Sequence, residues 1–353
     1  MPKKINNIYD TALSFSKIRS AFYRTSKRKK KTKDYIEFEL YLEDNILDIY
    51  RKLKNETYEV GEYKFFKVYE PKERLIYSLP FYDRVVQQLY VHEYIMPYMI
   101  PKFINTSFAC IPGRGLHSCV KTVQKYMNIA NKIWEKPYVV KYDISKFFYS
   151  IDREILFKII KKYYKDKKFL RLTEKFISFL SENEIEPGKG LPIGNYTSQY
   201  FANIYMNELD QFIKKELKIK YYVRFMDDGL LIVENKENAI EVLSKIKNFV
   251  EEKLNLKLNN KSGIFPLKNG GVTFCGYRIY LNYMLVKRAN INRIKKRIKK
   301  WNNEWQKGIF RFTYWNQSFN SWKGYAEFAS SYNLIQKLNK SRKYIYENRE
   351  ETQ

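Results

Sequence analysis

Three aspartates carry the chemistry this chain is equipped for. Asp227 and Asp228 stand side by side within Tyr221–Val233, with apolar, β-prone runs on both sides. Asp143 follows another such run, Tyr138–Tyr142. An acid on a buried strand is costly unless it is paired or metal-bound. Carboxylates gathered at one rigid place repel each other, and a hard divalent cation, Mg²⁺ or Mn²⁺, relieves the repulsion because it prefers oxygen ligands. Taken alone, Asp228-Gly229 is more simply a solvated hairpin turn. With Asp143 brought alongside, the same residues could hold two metals, which serve in-line phosphoryl transfer by polarising the attacking oxygen and stabilising the leaving one.

Composition narrows what such a site would act on. The 353 residues hold 66 Lys plus Arg against 38 Asp plus Glu, a net charge of +28. That excess favours a polyanionic partner, nucleic acid before membrane. The 32 Tyr and 24 Phe suit stacking on bases and sugars, although most must be core. Cys110, Cys119 and Cys275 are far apart and odd in number, so neither a disulfide framework nor a metal cluster is expected, which fits a reducing cytoplasm. No apolar run approaches a membrane span, and Met1-Pro2-Lys3-Lys4 opens no signal peptide. His92 and His117 leave little room for histidine acid–base chemistry.

The elements that must position the acids follow from periodicity. A helix is predicted over Ala12–Phe22, then a basic run, Lys27–Lys33, that is either a solvated stretch or a phosphate-contacting arm. Ile36, Leu40, Leu47 and Leu53 form a helical stripe that Gly61 closes. Tyr63–Pro80 reads as a β-hairpin with Lys72 and Arg74 on one face of its turn, a pair able to clamp a triphosphate. Helices are predicted over Asp83–Tyr98 and His117–Met127, with Arg114 between glycines in the loop before the second. Asp152 reads as a helix cap opening paired basic helices over 153–182. A glycine-rich loop from Gly188 leads into a helix striped by Phe201, Tyr205, Leu209 and Phe212. Glu237–Leu254 is a further helix, followed by a turn at Asn269-Gly270-Gly271. From about residue 287, Ile291, Ile294, Ile298, Trp301 and Trp305 form a stripe backed by Lys295, Lys296, Arg297, Lys299 and Lys300, and a second helical hairpin spans about 318–348. Alternating helices and antiparallel strands from about 138 to 284 predict an α+β fold with a small sheet.

The ordered set Lys72/Arg74, Asp143 with Phe147-Phe148, Leu191–Gln199, Phe225-Met226-Asp227-Asp228, Lys261 and Phe274–Tyr277 resembles the successive motifs of reverse transcriptases over about residues 60–285. The resemblance implies a right-hand polymerase: an N-terminal basic helical extension (1–58), fingers and palm (59–284) and a helical thumb (285–353). It implies that Asp143, Asp227 and Asp228 hold two Mg²⁺ ions, Mn²⁺ being possible, with help from the Ile144 carbonyl. Lys72 and Arg74 would grip the incoming dNTP, Phe147 and Phe148 would lie at its sugar, and Phe148 would exclude a ribose 2′-OH. Ile193, Gly194 and Gln199 would line the nascent-pair pocket, and Lys261 would approach the leaving pyrophosphate. Phe274, Cys275, Gly276 and Tyr277 would form the primer grip. Arg114, Lys295, Lys296 and Lys299 would meet the nucleic-acid backbone.

Within that family, Ile193-Gly194-Asn195-Tyr196-Thr197-Ser198-Gln199 departs from the Gln-Gly-x-x-x-Ser-Pro of relatives of group II intron enzymes. With Leu79–Gln87 and Ser198–Leu209, it resembles the reverse transcriptases of diversity-generating retroelements. These copy a template-repeat RNA into cDNA with errors opposite adenine, and their partner is a small basic accessory protein that forms a barrel-like oligomer. A phage-defence or group II intron-derived reverse transcriptase is the alternative within enzymes. A catalytically idle RNA-binding scaffold is the alternative from another class, but a binding module gains nothing from three acids facing phosphate.

Overall fold

A computed structural model describes residues 4–69, 73–178, 187–267 and 270–346. At its centre is a four-stranded antiparallel sheet in the order β4-β5-β3-β6, formed by Tyr221–Phe225 (β4), Asp228–Val233 (β5), Tyr138–Tyr142 (β3) and Gly263–Pro266 (β6). Alternate residues point to opposite faces, and both faces are covered. Val140, Tyr142, Tyr222 and Leu231 pack into a core that includes the helices Tyr196–Gln211 and Lys236–Leu254. Val139, Val223, Leu230 and Ile232 pack on the other side with residues of the helix Leu116–Ile133. Burial on both faces explains why these strands read as continuous apolar runs instead of alternating ones.

Two smaller sheets flank this one. Lys64–Val68 (β1) and Arg74–Ser78 (β2) pair antiparallel as the predicted hairpin. Val272–Phe274 (β7), Tyr277–Ile279 (β8) and Met284–Val286 (β9) form a three-stranded meander. This is the expected α+β arrangement of fingers and palm, followed by the helices Arg288–Gln306, Phe312–Ala326 and Tyr332–Lys340. Ile294, Ile298, Trp301, Trp315, Phe319 and Leu338 form the separate core of these last helices.

The N-terminal residues join the central core. Ile8, Ile18, Phe22, Phe38 and Ile49 pack in the same cluster as the palm helices. The Ile8 and Tyr9 amides donate to Asp166 Oδ2 at 2.8 and 3.0 Å, while Asp166 Oδ1 caps the helix Lys167–Ile177. The stripe expected over residues 35–57 is corrected. The segment is two helices, Lys33–Leu40 and Leu42–Lys54, and Ile36 and Leu40 face outward. Leu53 is buried as expected, but Tyr35 and Phe38 take the inward face of the first helix and Ile46 and Ile49 join Leu53 on the second, with the break at Tyr41 between the two stripes.

After a single turn of helix over Tyr9–Ala12, the first long helix runs over Phe15–Ser26 with Ser14 as its cap, later than the predicted Ala12–Phe22. The helix from Phe81 widens into a π turn over Tyr90–Ile95 before Pro97. Asp152 caps Arg153–Tyr163 through the Ile155 amide at 3.0 Å, as its sequence context implied. All three cysteines are free, and among the described residues no helix is long and apolar enough to cross a membrane.

Candidate active site

The two-residue loop that joins β4 to β5 is Met226-Asp227, two residues earlier than the Asp228-Gly229 turn predicted from sequence. Phe225 pairs with Asp228, and Met226 takes φ 59°. A left-handed residue at the first loop position lets a tight hairpin match the strand twist. Asp227 therefore sits in the loop and Asp228 opens β5. Gly229 is a strand residue opposite Tyr142, and its missing side chain makes room for that ring.

Asp143 leaves the end of β3, beside β5 in the sheet. Its main chain is clamped by the segment that carries Lys261. The Asp143 amide donates to Ser262 Oγ at 3.0 Å, and the Asn259 amide donates to the Asp143 carbonyl at 2.7 Å. Ile144 forms a bridge with Leu258, which brings the exposed Lys261 into the neighbourhood of the acids. All three aspartates are half-buried.

Their electrostatics are those of a crowded anionic centre. Burial, then Asp228, raises the Asp227 carboxyl to about 6, and Asp143 adds to the effect; a backbone hydrogen bond and Arg74 pull the other way. Asp228 is raised by burial and by Asp143, against the ammonium groups of Lys141 and Lys287. Among the described residues no three acidic, histidine or cysteine side chains are already drawn into a metal cage. The donor set nonetheless suits a hard divalent cation: three carboxylates, of which Asp143 and Asp228 oppose the ionisation of Asp227 and Asp143 opposes that of Asp228, with half-open access to solvent.

The fingers hairpin and the glycine-rich loop are stitched to the same centre. The Tyr77 amide of β2 donates to the Ile193 carbonyl at 2.8 Å, and Asn195 Nδ2 donates to Tyr63 Oη at 2.6 Å. Gly194 has φ 116°, and a Cβ there would lie 2.6 Å from the Tyr77 carbonyl oxygen, so this close approach requires glycine. The Leu191 amide donates to the Phe148 carbonyl at 2.8 Å. Ile193, Phe148 and Gln199 are half-buried, and Phe147 is buried against Phe148 with ring centroids 5.5 Å apart. Arg74 begins β2 and acts on Asp227, whereas Lys72 lies outside the described residues.

Other expected contacts are placed differently from one another. Phe274 and Tyr277, expected in a primer grip, are buried at 1 % and 0 % exposure, so their side chains face the core, and the Cys275-Gly276 turn between them is half-buried. That turn has φ 47° and 84° and is fastened by Tyr325 Oη donating to the Gly276 carbonyl at 2.5 Å. Arg114 Nη1 donates to the Ile104 and Ser107 carbonyls at 2.7 and 3.0 Å, bracing its own loop. Lys295, Lys296 and Lys299 are exposed on the Arg288–Gln306 helix, opposite its buried Ile294 and Ile298.

A buried polar network beneath the acids had not been singled out in the sequence. Arg224 and Asp210 are fully buried and paired, with Nη2 donating to Oδ2 at 2.7 Å and Nε to Oδ1 at 2.8 Å. Tyr222 Oη donates to Asp210 Oδ1 at 2.7 Å and lies 2.6 Å from Tyr142 Oη. The signal available was a lone arginine inside an otherwise apolar strand. Ser262, a small polar residue beside Lys261, offered no comparable signal.

An antiparallel sheet that presents acids from a strand end and an adjoining hairpin, beneath a cationic hairpin, has the layout of a polymerase palm and fingers. Residues 67–279, more than half of the chain, match the family model described as reverse transcriptase (RNA-dependent DNA polymerase). The chain belongs to that family. Protein YkfC of Escherichia coli is 24% identical over 235 residues, covering 56% of this chain and 60% of that protein. The group II intron-encoded protein LtrA of Lactococcus lactis is 23% identical over 327 residues, covering 73% of this chain and 53% of that protein. The chain thus spans less than two thirds of the length of either relative. Among solved structures, telomerase from Candida albicans in complex with a TWJ fragment of telomeric RNA aligns at 12% identity with a TM-score of 0.49, over 75% of this chain and 55% of that one.

Proposed function

We propose that this protein is an RNA-directed DNA polymerase that extends a primer on an RNA template. The observation that carries this reading is the gathering of Asp143, Asp227 and Asp228 at one edge of the central sheet, where Asp143 and Asp228 disfavour ionisation of Asp227. In the reaction the primer 3′-hydroxyl gives up its proton to solvent, its oxygen bonds to the α-phosphorus of a dNTP, the bond from that phosphorus to the oxygen bridging to the β-phosphate breaks, and pyrophosphate leaves. Asp143, Asp227 and Asp228 would hold the divalent cations, Mg²⁺ foremost. Cations held there would supply charge neutralisation for the phosphoryl transfer.

The chain's own residues supply position and charge. Arg74 faces the triphosphate, and Lys261 approaches from the loop that clamps Asp143. Phe148 underlies the sugar, where its ring leaves no room for a 2′-OH. The stitched contact of Tyr77 with Ile193 holds the fingers hairpin against the floor of the nascent pair. Lys295, Lys296 and Lys299 face the duplex phosphates as screened, sequence-independent contacts.

The finer reading is that the polymerase serves a diversity-generating retroelement, copying a template-repeat RNA with errors opposite adenine alongside a small basic accessory protein. What supports it is Ile193, a half-buried apolar residue at the dNTP pocket, where an amide would supply a positioning hydrogen bond. A pocket with fewer such bonds discriminates less between right and wrong bases. Intron-encoded relatives favour a group II intron-type role as the second reading.

Primer extension on a defined RNA with Mg²⁺, followed by sequencing of the cDNA, tests both levels. Product with errors concentrated opposite adenine supports the retroelement reading. Accurate product keeps the polymerase and selects the intron-type role. No product, with the accessory protein and native template also supplied, contradicts the polymerase.

A further inference from the structure

The loop that carries Asp227 is held from below by an ion pair that no polymerase motif of the sequence had included. Arg224 uses every side of its guanidinium. Nε and Nη2 face Asp210, and Nη1 donates to Asn203 Oδ1 at 3.1 Å and to the Met226 carbonyl at 2.8 Å. Both charges of the pair are fully buried. Asp210 is fixed in turn by the Tyr222 hydroxyl, and Asn203 by donating to the Ala109 carbonyl at 3.0 Å.

The Met226 carbonyl belongs to the same peptide plane as the Asp227 amide. In a two-residue hairpin loop that plane is the soft element, because a flip interconverts two turn types. Met226 has φ 59° while Asp227 does not enter the positive-φ region, the pattern of one of those two types. A flip would carry Asp227 to positive φ and swing its carboxylate away from Asp143. A bond from a guanidinium that cannot itself move opposes the flip.

We propose that Arg224, locked by Asp210, is a positioning residue that fixes the Met226–Asp227 peptide and so sets where the Asp227 carboxylate stands. A misplacement of about 1 Å at a catalytic group costs on the order of 10²-fold in rate. The buried pair could instead be purely structural, as one that merely holds β4 to the helix Tyr196–Gln211. The two roles differ in what a folded variant loses. This proposal rests on the polymerase reading for its activity readout but not for its metal readout.

The experiment uses the full chain with Arg224→Met/Asp210→Leu, which removes both charges together and leaves neither uncompensated. Arg224→Lys keeps the ion pair but loses the fork that reaches Met226. Thermal melting, steady-state dNTP incorporation and Mn²⁺ binding by calorimetry are measured for each. The expected result is a folded protein whose KM for dNTP stays within about threefold, whose kcat falls on the order of 10²-fold, and whose Mn²⁺ binding weakens about tenfold. A folded double variant with the parent's kcat and Mn²⁺ affinity overturns the proposal. Should the double variant not fold, Arg224→Lys decides by the same two readouts, and unchanged values again overturn it. A parent protein that incorporates no dNTP counts against the polymerase reading, and Mn²⁺ affinity then tests the positioning role alone.

Discussion

Gly229 yields its side-chain space to Tyr142: a Cβ at position 229 would stand 2.1 Å from the ring carbon Cζ of the tyrosine. The ring crosses over the strand immediately after Asp228 and meets Tyr222 Oη at 2.6 Å in the buried network. Glycine is therefore needed here for close packing and not for turn conformation. Gly229→Ala forces that ring, or β5 itself, to shift. We expect a loss of about 1–3 kcal/mol of stability, the usual cost of overpacking, together with loss of primer extension. Gly229→Ala/Tyr142→Ala should recover part of the melting temperature. Denaturant unfolding of the single and double variants checks this, and equal stability of Gly229→Ala and the parent would refute it.

Ser262 grips the main chain of Asp143 from both sides, accepting its amide at 3.0 Å and donating to its carbonyl at 3.3 Å. Ser262→Ala removes both bonds and leaves the Asn259 amide on the carbonyl. The expected stability loss is about 1 kcal/mol for a part-buried hydrogen bond. The expected rate loss is larger, roughly tenfold in kcat, because an acid that must meet a metal is loosened. Rapid-quench incorporation beside thermal melting separates the two effects.

Protonation of Asp227 gives the site a pH dependence with an unusual sign. Its carboxyl titrates at about 6 in the fold, against about 3.9 for an unperturbed aspartate. The fold therefore favours the protonated acid. That stability is fully present below about pH 4 and is lost as pH rises through the folded value. Added Mg²⁺ should raise the melting temperature at pH 8 and have little effect at pH 5, where protons compete for the same oxygens. Incorporation should rise across the same window. Asp227→Asn should flatten the metal-free stability profile. Melting curves from pH 4 to 8 with and without Mg²⁺ would count against the account if the two profiles ran parallel.

At the nascent-pair pocket, Ile193→Gln restores an amide where the chain has a half-buried apolar side chain. Its main-chain bond to Tyr77 is untouched by the change. We expect fewer misincorporations opposite adenine and little change in melting temperature. An error spectrum identical to the parent's, read by cDNA sequencing, would remove Ile193 as the cause of low fidelity.

Much of this architecture was legible because its signals are local. The strands around Asp143 and Asp227 are apolar at nearly every position, Lys141 and Arg224 apart, because both sheet faces are covered, and the acids stand out against that background. Asp152 and the basic helix from Arg288 were readable from capping and stripe. The hairpin turn was misplaced by two residues because Asp-Gly is a turn signal, whereas the glycine answers to Tyr142, a residue 87 positions earlier in sequence and adjacent only across the sheet. Ile36 and Leu40 matched a helical period but lie on the exposed face of their own helix, whose inward face is Tyr35 and Phe38, and the break at Tyr41 separates them from the stripe that ends at Leu53. Ser262 and Asp210 could not be read at all, because their importance lies in partners 119 and 14 residues away. Phe274 and Tyr277 carried a motif whose side chains serve the core.

The central claim is that Asp143, Asp227 and Asp228 act as one metal-holding set for nucleotide addition. Single-turnover incorporation of one dNTP on a preformed RNA–DNA primer-template, with Mg²⁺, tests it most directly when each aspartate is changed in turn to asparagine. The account predicts that the parent extends the primer and that each variant loses at least about 10³-fold in rate while still binding the duplex. Retention of near-parental rate by any one of the three variants would contradict it.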